Sequence, residues 1–298
     1  MNQLKQIFQF IYNHPLAGRH KIKAFYRFFF WQFSQMFFPH EAIVSFIGNT
    51  KLLAKKGMTG ITGNIYTGLE DFYDMGFLLH FLRKEDLFAD IGANVGSYSI
   101  LASGYIGART LSFEPVPTTF SWLKKNIELN GLNESVMARN IGLGSKRGEL
   151  LFTSLHGTVN HVIAEHEQTD EMKSINVQVF SFDEISLIDG VPQLMKIDVE
   201  GFETEVLNGM SDTLQSNKLK AIIIELNGSG SRYGYDELKI HQHLLSLDFY
   251  PCSYDPFKRI LKRQNSFGSY NTIYIRDIDF VSSRIKTAAK FSIFSESI

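Results

Sequence analysis

The chain has 298 residues, of which 44% are hydrophobic, 13% aromatic and 20% charged, and its formal net charge at pH 7 is −1. This composition is typical of a globular protein with one large domain and an appendage, and the nearly balanced charge gives no support to a nucleic-acid partner. The single cysteine, Cys252, excludes an internal disulfide and a cysteine-rich metal site, and it fits a reducing compartment.

The N-terminal segment, residues 1–60, is basic and rich in aromatic side chains. It has eight Lys and Arg residues against the single acid Glu41, a net charge of +7, whereas the remaining residues carry −8. We predict that this segment is helical. Its first residues lack an apolar core followed by a small-residue cleavage site, so we predict no secretory signal and expect a cytoplasmic location.

Residues 22–38, with the sequence IKAFYRFFFWQFSQMFF, are the most aromatic part of this segment. The stretch is too short, and too interrupted by polar residues, for a membrane span of ~20 apolar residues. As a helix it places five apolar side chains on one face: Phe25, Phe29, Phe33, Met36 and Phe37. The polar residues Lys23, Arg27 and Ser34 lie on the opposite face. We favour a helix packed on the main domain as a lid or dimer element, because such faces are usually buried. The alternative is an amphipathic helix on an anionic membrane surface, which would place the protein at the inner face of the membrane.

Residues 61–280 alternate apolar strands with amphipathic helical stretches, above all from residue 86 onwards. The predicted strands are DLFADIG, RTLSFEP, SVMARNIGLG, GELLFT, NVQVFSF, QLMKIDVEG and LKAIIIELNG, with FYPCSYDP and NTIYIRD as late candidates. The predicted helices between them are SYSILASGYI, TFSWLKKNIELNGL, FETEVLNGM and YDELKIHQHLLSL. Such alternation predicts a mostly parallel sheet with helices on both faces. Residues 281–298 are predicted to be a C-terminal tail, either a surface helix or a frayed end.

The stretch LFADIGANVGSYSI places an acid and three small or turn-forming residues directly after the first of these strands, at Asp90, Gly92, Asn94 and Gly96. In open parallel sheets, ligands bind beyond the carboxyl ends of the strands, and glycine permits a tight turn close to a ligand. The spacing does not match the G-x-G-x-x-G of dinucleotide sites, and no P-loop lysine follows. Glu114 ends the next strand, where a carboxylate can accept hydrogen bonds from both ribose hydroxyls. We therefore predict an adenosyl ligand, for which S-adenosylmethionine fits better than a dinucleotide.

Five motifs together resemble the FkbM family of S-adenosylmethionine-dependent methyltransferases, and they occur in the family's order: DIGANVGSYS, FEPVP, NIELNGL, KIDVEGFETEVLNG and IIIEL. The resemblance implies the class I methyltransferase fold for residues 61–280. This is a Rossmann-like α/β fold with a mostly parallel seven-stranded sheet, helices on both faces, and an antiparallel strand contributed by the last hairpin. The resemblance also implies O-methylation of a hydroxyl, often on a sugar or a polyketide-type product.

Individual roles follow from the same resemblance. It implies a cofactor loop of four residues: Asp90, Gly92, Asn94 and Gly96. Glu114 then resembles the ribose ligand, and Pro115 borders the adenine. Asn140 stands where related enzymes contact the adenine amino group, although a turn-forming Asn is an equal alternative. Tyr66 and Glu70 match family positions that close over the cofactor, or they are ordinary turn and helix-start residues.

The catalytic residues are expected in KIDVEGFE, because a neutral hydroxyl must lose its proton during methyl transfer. Asp198 and Glu200 can act as base and orienter, or they can bind a divalent cation together with Glu225. For Glu200, a favourable charge near a helix N-terminus is an equally good explanation. His161 is the rival base, because a pKa near neutrality suits proton abstraction.

The sequence thus predicts an O-methyltransferase that acts on a hydroxyl of a sugar, in a surface glycan or its lipid-linked precursor. A natural-product methyltransferase of the polyketide type and a cofactor-binding module without catalysis are the alternatives. A nucleic-acid substrate is not expected, because KIDVEG differs from the Asn-Pro-Pro-aromatic pattern of base amino methylation. The acceptor, the metal dependence and the oligomeric state are left open by the sequence.

Overall fold

The computed structural model describes residues 3–38, 40–153, 160–167 and 174–298. The α-helices in these residues are α1 (Gln3–Asn13), α2 (Lys21–Phe37), α3 (Thr59–Thr67), α4 (Phe72–Phe81), α5 (Ser97–Ser99), α6 (Pro117–Leu129), α7 (Phe182–Asp189), α8 (Glu203–Asn208), α9 (Ser211–Gln215), α10 (Glu237–Ser246) and α11 (Ile278–Thr287). A π-helical stretch, Ile100–Ile106, continues α5.

The strands described by the structure are β1 (Ala42–Ser45), β2 (Lys51–Ala54), β3 (Leu87–Ile91), β4 (Arg109–Phe113), β5 (Val136–Arg139), β6 (Gly142–Leu143), β7 (Gly148–Thr153), β8 (Ser174–Phe180), β9 (Leu194–Ile197), β10 (Ala221–Glu225), β11 (Tyr250–Asp255), β12 (Ile260–Arg263), β13 (Asn271–Ile275), β14 (Ser292–Ile293) and β15 (Glu296–Ser297). Short 3-10 helices occur at Ala17–His20, Glu165–Glu167 and Ser229–Tyr233.

The central sheet has the strand order β12-β11-β13-β10-β9-β3-β4-β5. The five strands from β10 to β5 are parallel, whereas β13 runs antiparallel to both of its neighbours. This confirms the predicted mostly parallel sheet with an antiparallel strand from the last hairpin. The chain order reverses between β3 and β9, and ligands of such sheets bind at the strand ends beside that reversal.

The sheet has eight strands in the described residues, one more than the seven predicted. The additional strand is β12, which pairs with β11 at the edge of the sheet. Its four residues are exposed or half-buried. A short edge strand of this kind lacks the apolar run from which the other strands were predicted.

Residues of β3 are buried along its whole length, because both faces of the central sheet are covered by helices. Phe88 packs in a core with Phe77 and Leu101 on one side of the sheet. Ala89 and its alternate neighbours pack on the other side, against α7 and α8. The period-2 alternation of strand side chains explains how one short strand serves two cores.

A second, three-stranded sheet with the order β6-β8-β7 stands beside the end of β5. β7 runs antiparallel to β8, and β6 runs parallel to it. Phe152 on β7 forms an isolated antiparallel bridge with Val162. This small sheet forms one wall of the pocket at the strand ends.

The N-terminal segment is helical over α1 and α2, as predicted, but residues 42–54 form the antiparallel β1–β2 hairpin. The helix α2 packs on the main domain, as predicted, but the face that it buries is not the one that we predicted. Its buried residues are Ala24, Phe28, Trp31 and Gln35, whereas the predicted aromatic face is largely exposed. No helix among the described residues is long and apolar enough to cross a membrane.

Residues 281–298 begin in a helix that is largely exposed, which was one of the two predicted alternatives, but they end in a packed hairpin and not in a frayed end. They comprise most of α11 and the β14–β15 hairpin. Phe291, Ile293 and Ile298 are almost completely buried and belong to the same core as Phe77. Glu296 of this hairpin accepts hydrogen bonds from Arg19 and His20, so the two ends of the chain meet.

Candidate active site

A pocket with about 680 Å³ of empty space, its open mouth included, lies at the carboxyl ends of β3, β4 and β9. Six of the residues predicted for the site line it: Gly92, Asn94, Glu114, Pro115, Asp198 and Glu200. They come from three strand-end loops, which the parallel sheet brings to one edge.

The loop after β3 lies against the loop after β9 at Gly92. This residue has a φ of 79°, and a Cβ added to it would lie 1.8 Å from the carbonyl oxygen of Asp198. The N–H groups of Gly92 and Ala93 both donate to the carbonyl of Phe113. Glycine is therefore required here twice, for the left-handed backbone and for the close approach of two loops.

Glu114 stands at the end of β4 with both carboxylate oxygens directed at backbone. Its Oε2 accepts the N–H of Asn94 at 3.0 Å, and its Oε1 accepts the N–H of Val116 at 2.9 Å. Burial raises the pKa of Glu114 to about 8, although these two bonds favour the carboxylate. Each oxygen keeps acceptor capacity for a further hydrogen bond, so the group fits the two hydroxyls of a ribose.

Asn140 follows β5 and supports the loop that carries Glu114. Its Nδ2 donates to the carbonyls of Glu114 and Pro115, at 2.8 Å and 2.9 Å. Both amide hydrogens are thereby used, and the side-chain carbonyl is the group left to accept from an adenine amino group. Contact with adenine stays a prediction.

Asp90 and Gly96 shape the cofactor loop from outside the pocket lining. Asp90 is almost completely buried and accepts a 2.6 Å hydrogen bond from the Oγ of Ser99. Gly96, with a φ of 96°, precedes α5, and a Cβ there would lie 2.6 Å from Leu123. Both residues therefore hold the loop in place, and a direct contact with cofactor stays a prediction.

An ion pair links Lys196 on β9 to Asp198, the residue that follows this strand. Lys196 is 4% exposed, and its Nζ lies 2.5 Å from the Oδ2 of Asp198. Burial by itself disfavours the ammonium, but the carboxylates of Asp198, Asp90 and Asp71 together raise the pKa of Lys196 above its usual value. Lys196 therefore stays charged and fixes the carboxylate of Asp198.

The loop after β9 has an unusual backbone at Glu200, where φ is 55°. A left-handed conformation at a residue with a long side chain is uncommon and is often found at functional sites. Burial, followed by the charge of Asp198, raises the pKa of Glu200 to about 7. Glu203 stabilises the loop because its Oε1 accepts the N–H groups of Val199 and Gly201.

A second, wider cleft lies near the carboxyl end of β10. Glu225, at the end of β10, lines it together with Asp71, Asp74 and Asn271. Burial, followed by the charges of Asp198 and Glu200, raises the pKa of Glu225 to about 8. Burial also raises the pKa of Asp74 to about 7. The cleft thus presents several carboxyl groups near the pH at which proton transfer is efficient.

Tyr66 and Glu70, the two residues predicted to close over the cofactor, lie outside the lining of the pocket at the strand ends. Tyr66 is buried against α2, where its ring meets Phe28 edge-on and its hydroxyl accepts a hydrogen bond from Gln32 at 3.0 Å. Glu70 lines the second cleft, and burial raises its pKa well above the usual value. Neither side chain lines the pocket that contains Glu114.

His161 is the rival base, and its side chain lies outside the pocket lining. Its neighbours Asn160 and Val162 line the pocket. The Nε2 of His161 lies 3.5 Å from a carboxylate oxygen of Glu167.

A family model described as the methyltransferase FkbM domain matches residues 90–251, which is more than half of the chain. The chain belongs to the FkbM methyltransferase family. Hexuronic acid methyltransferase AglP of Haloferax volcanii is 32% identical over 152 residues, which cover 50% of this chain and 59% of that protein. Methyltransferase 1 of Beauveria bassiana is 30% identical over 166 residues, which cover 48% of this chain and 66% of that protein.

The comparison with solved structures gave matches of low identity. The SAM-dependent methyltransferase from Agrobacterium tumefaciens has a TM-score of 0.41 and 10% identity, with 70% of this chain and 58% of that chain covered. The family's cofactor is S-adenosylmethionine, and the FkbM domain matched here contains both Gly92 and Glu114. The resemblance that the sequence motifs indicated is confirmed.

The predicted metal ligands are not gathered into a metal site. Within the described residues, no group of three or more His, Cys, Asp or Glu side chains is arranged to hold a metal ion. Asp198 contacts Lys196 instead, and Glu225 lines the second cleft. Binding of a divalent cation stays a prediction.

Sequence reasoning on this FkbM chain missed Asp71 and Tyr98. The hydroxyl of Tyr98 donates to Asp71 at 2.9 Å, and Lys196 lies 4.9 Å from the centre of the Tyr98 ring. Asp71 could have been recognised as a site candidate, because it is the last residue of the acidic LED in IYTGLED, residues 65–71. Nothing in the sequence indicated that Tyr98 would join the same cluster, because its helix was predicted only as a cover for the sheet.

Proposed function

We propose that this protein is an S-adenosylmethionine-dependent O-methyltransferase that acts on a hydroxyl of a sugar, in a surface glycan or its lipid-linked precursor. The observation that carries the proposal is the pocket at the strand-order reversal, with Glu114 and Gly92 on its walls, inside a segment that matches the FkbM domain. The relative named as a hexuronic acid methyltransferase supports a sugar acceptor.

Bound S-adenosylmethionine would supply a methyl group already activated by its sulfonium. Glu114 would accept the ribose hydroxyls, and Pro115 would lie beside the adenine. Gly92 and Asn94 form the part of the pocket wall that follows β3, and Gly92 lies against the carbonyl of Asp198. We infer that these residues hold the cofactor with its reactive end toward Asp198.

We infer that the acceptor enters through the second cleft, because Asp198 lines the cofactor pocket and its charge acts on Glu225 and Asp71 of that cleft. One oxygen of Asp198 is held by Lys196, and the side chain is 31% exposed. Its other oxygen would accept the proton that the acceptor hydroxyl loses when it gains the methyl group. Glu200 and Glu225 flank this position with raised pKa values and would orient the acceptor. His161 is the second candidate for the base.

The test is methyl transfer from labelled S-adenosylmethionine by the purified full chain. The acceptor panel contains hexuronic acid sugars, other free sugars, lipid-linked sugars and polyketide-type alcohols, with cofactor affinity measured separately by calorimetry. Labelled sugar products support the proposal. Label only in the polyketide-type alcohols supports a natural-product enzyme instead. Cofactor binding without transfer to any acceptor supports a binding module, and absence of cofactor binding rejects all three.

A location at the cytoplasmic, inner face of the membrane goes with this proposal, because a lipid-linked acceptor is presented there. The basic N-terminal segment, with a net charge of +7 over residues 1–60, supports such a location. Fractionation of cells that express the full chain tests it. Recovery of the protein with washed membranes is expected, and release by high salt would identify the charge contribution.

A further inference from the structure

The helix α2 is apolar on two opposite sides. One side packs on the main domain through Phe28, Trp31 and two smaller residues. The opposite side, called the aromatic face here, consists of Ile22, Tyr26, Phe29, Phe30, Phe33, Met36 and Phe37, each between 45% and 88% exposed. At 3.6 residues per turn, these seven side chains share an arc of about 120° centred opposite the buried side.

The helix α1 extends the same apolar surface. The ring of Phe8 contacts the rings of Phe25 and Phe29 edge-on, which joins the two helices side by side. Leu4 and Tyr12, one turn before and after Phe8, are more than half exposed. Soluble proteins rarely leave a continuous apolar surface of this kind in water, so a partner must cover it.

The charges around the aromatic face are of one sign. The first 40 residues contain no Asp or Glu. Exposed Lys23 borders the face on α2, and Lys21 lies with its Nζ 3.4 Å from the centre of the Tyr12 ring. The first acid in the chain, Glu41, is paired with Lys125 at 2.7 Å.

This distribution of charge separates the candidate partners. A symmetric dimer through the aromatic face would bring two copies of the same basic patch together, which disfavours it. An anionic lipid surface offers both an apolar layer for the aromatic side chains and negative charge for the lysines. Apolar and basic side chains side by side, with no acid among them, therefore match a membrane better than a second copy.

We propose that the aromatic face is a membrane-docking surface, on which α2 lies flat at an anionic bilayer with its aromatic side chains among the lipid headgroups and upper acyl chains. The helix of 17 residues is roughly 25 Å long, enough for a stable interfacial contact. This inference deepens the membrane location that accompanies the proposed methyltransferase function.

Co-sedimentation of the full chain with vesicles tests the proposal. One set of vesicles contains phosphatidylglycerol in phosphatidylcholine, and the other is pure phosphatidylcholine. The variant Phe30→Gln/Phe33→Gln removes two exposed rings and should bind anionic vesicles roughly tenfold more weakly or worse. The matched control is Leu187→Gln/Ile188→Gln, which removes two side chains that are 86% and 83% exposed on α7 and should bind as the wild type does.

A third variant, Lys5→Gln/Lys23→Gln, should weaken binding at low salt and reduce its salt dependence, because it removes charge and leaves the apolar side chains. The proposal is overturned if the wild type does not sediment with anionic vesicles, or if the Phe30/Phe33 variant binds as well as the control. If the wild type does not bind vesicles but forms a dimer, and the Phe30/Phe33 variant is a monomer, the partner of the aromatic face is a second copy of the chain. Cofactor affinity of the variant, measured by calorimetry, should equal that of the wild type, so failure here is separable from failure of the proposed activity.

Discussion

Glu114 and Asp198 are carboxyl groups at the ends of two strands of one sheet, and they have opposite surroundings. Glu114 is 6% exposed, and burial raises its pKa to about 8 although two backbone N–H groups bind it and favour the carboxylate. Asp198 is partly exposed and bound by the ammonium of Lys196. The first environment suits a rigid ligand contact, and the second suits a group that exchanges a proton with an acceptor.

Substitution of Glu114 by Ala should weaken S-adenosylmethionine binding by about 1.5–3 kcal/mol, the usual loss when hydrogen bonds to a charged group are removed. Calorimetry on the folded variant measures the change. Glu128→Ala, an exposed acid on α6, is the control and should bind cofactor normally. An unchanged dissociation constant in Glu114→Ala would show that this residue does not hold the ribose.

Substitution of Asp198 by Asn keeps the shape of the side chain and removes its charge. Turnover should fall by roughly a hundredfold or more, the scale of lost acid–base catalysis, while cofactor affinity changes little. Single-turnover methyl transfer measures the rate. A metal ligand in this position would make the wild type sensitive to EDTA and restore activity with Mg²⁺, whereas a simple base would not.

His161→Ala is the comparison for that experiment. Because His161 lies next to Glu167 and outside the pocket lining, we expect its removal to leave most of the activity. If His161→Ala is inactive and Asp198→Asn turns over normally, the assignment of the base to Asp198 is wrong.

At the scale of elements, the site depends on the contact between the loops after β3 and β9. Asp198 donates its N–H to the carbonyl of Ile91 at 3.0 Å, and its own carbonyl lies directly over Gly92. The two loops are therefore a single unit, since movement of either displaces both the cofactor wall and the proposed base.

Gly92, the glycine at this contact, can be compared with Gly57, which also has a positive φ. Gly57 has a φ of 90°, but nothing lies within 4 Å of a Cβ added there. Gly57→Ala should lower the free energy of unfolding by roughly 1–2 kcal/mol, the cost of a left-handed backbone. Gly92→Ala should lower it further and abolish cofactor binding, because the added methyl group must displace the β9 loop. Urea unfolding and calorimetry measure both effects, and equal losses in the two variants would contradict the loop contact.

At the scale of the whole molecule, buried carboxyl groups are concentrated at one edge of the sheet. Burial raises the pKa of five of them to values between about 7 and about 8: Asp74, Glu114, Glu200, Glu203 and Glu225. These five groups therefore bind more protons in the folded chain than in the unfolded chain from about pH 4.5 to about pH 8. Stability that these groups contribute at low pH is lost as the pH rises through their folded pKa values.

The free energy of unfolding should therefore fall as the pH rises from 6.5 to 8.5. Two buried histidines, His14 and His80, act in the opposite direction, because burial lowers their pKa values to about 4. Above the unfolded histidine pKa of 6.5, the two histidines lose their protons in the folded and the unfolded chain alike. The carboxyl groups therefore determine how the free energy of unfolding changes with pH in that range. Urea unfolding at the two pH values measures the change, and Glu225→Gln should show a smaller decrease. Stability that is constant or rises over this interval would refute the prediction.

Local pattern was sufficient for much of this fold. The buried strands β3, β9 and β10 are short apolar runs, and each ends in the residues that line the pocket or the cleft beside it. Parallel strands place their carboxyl ends on one edge, so Gly92, Glu114 and Asp198 could be assigned to one site before the structure was known. The glycine spacing and the acid at the next strand end likewise pointed to an adenosyl cofactor, because both features depend on neighbours in the chain.

Contacts between distant segments were decided only by tertiary structure. The second cleft joins Asp74 to Asn271 and Glu225, residues that no local period relates. The helix α2 illustrates the same limit, because its sequence is apolar on two sides and periodicity does not indicate which one meets the domain. Phe28 and Trp31 joined a core that includes side chains of α3 and α6, and this packing left the aromatic face exposed. The sequence thus determined the parallel strands of the central sheet, the order of the motifs and the family, whereas packing determined which acids gather at the second cleft and which face of α2 stays exposed.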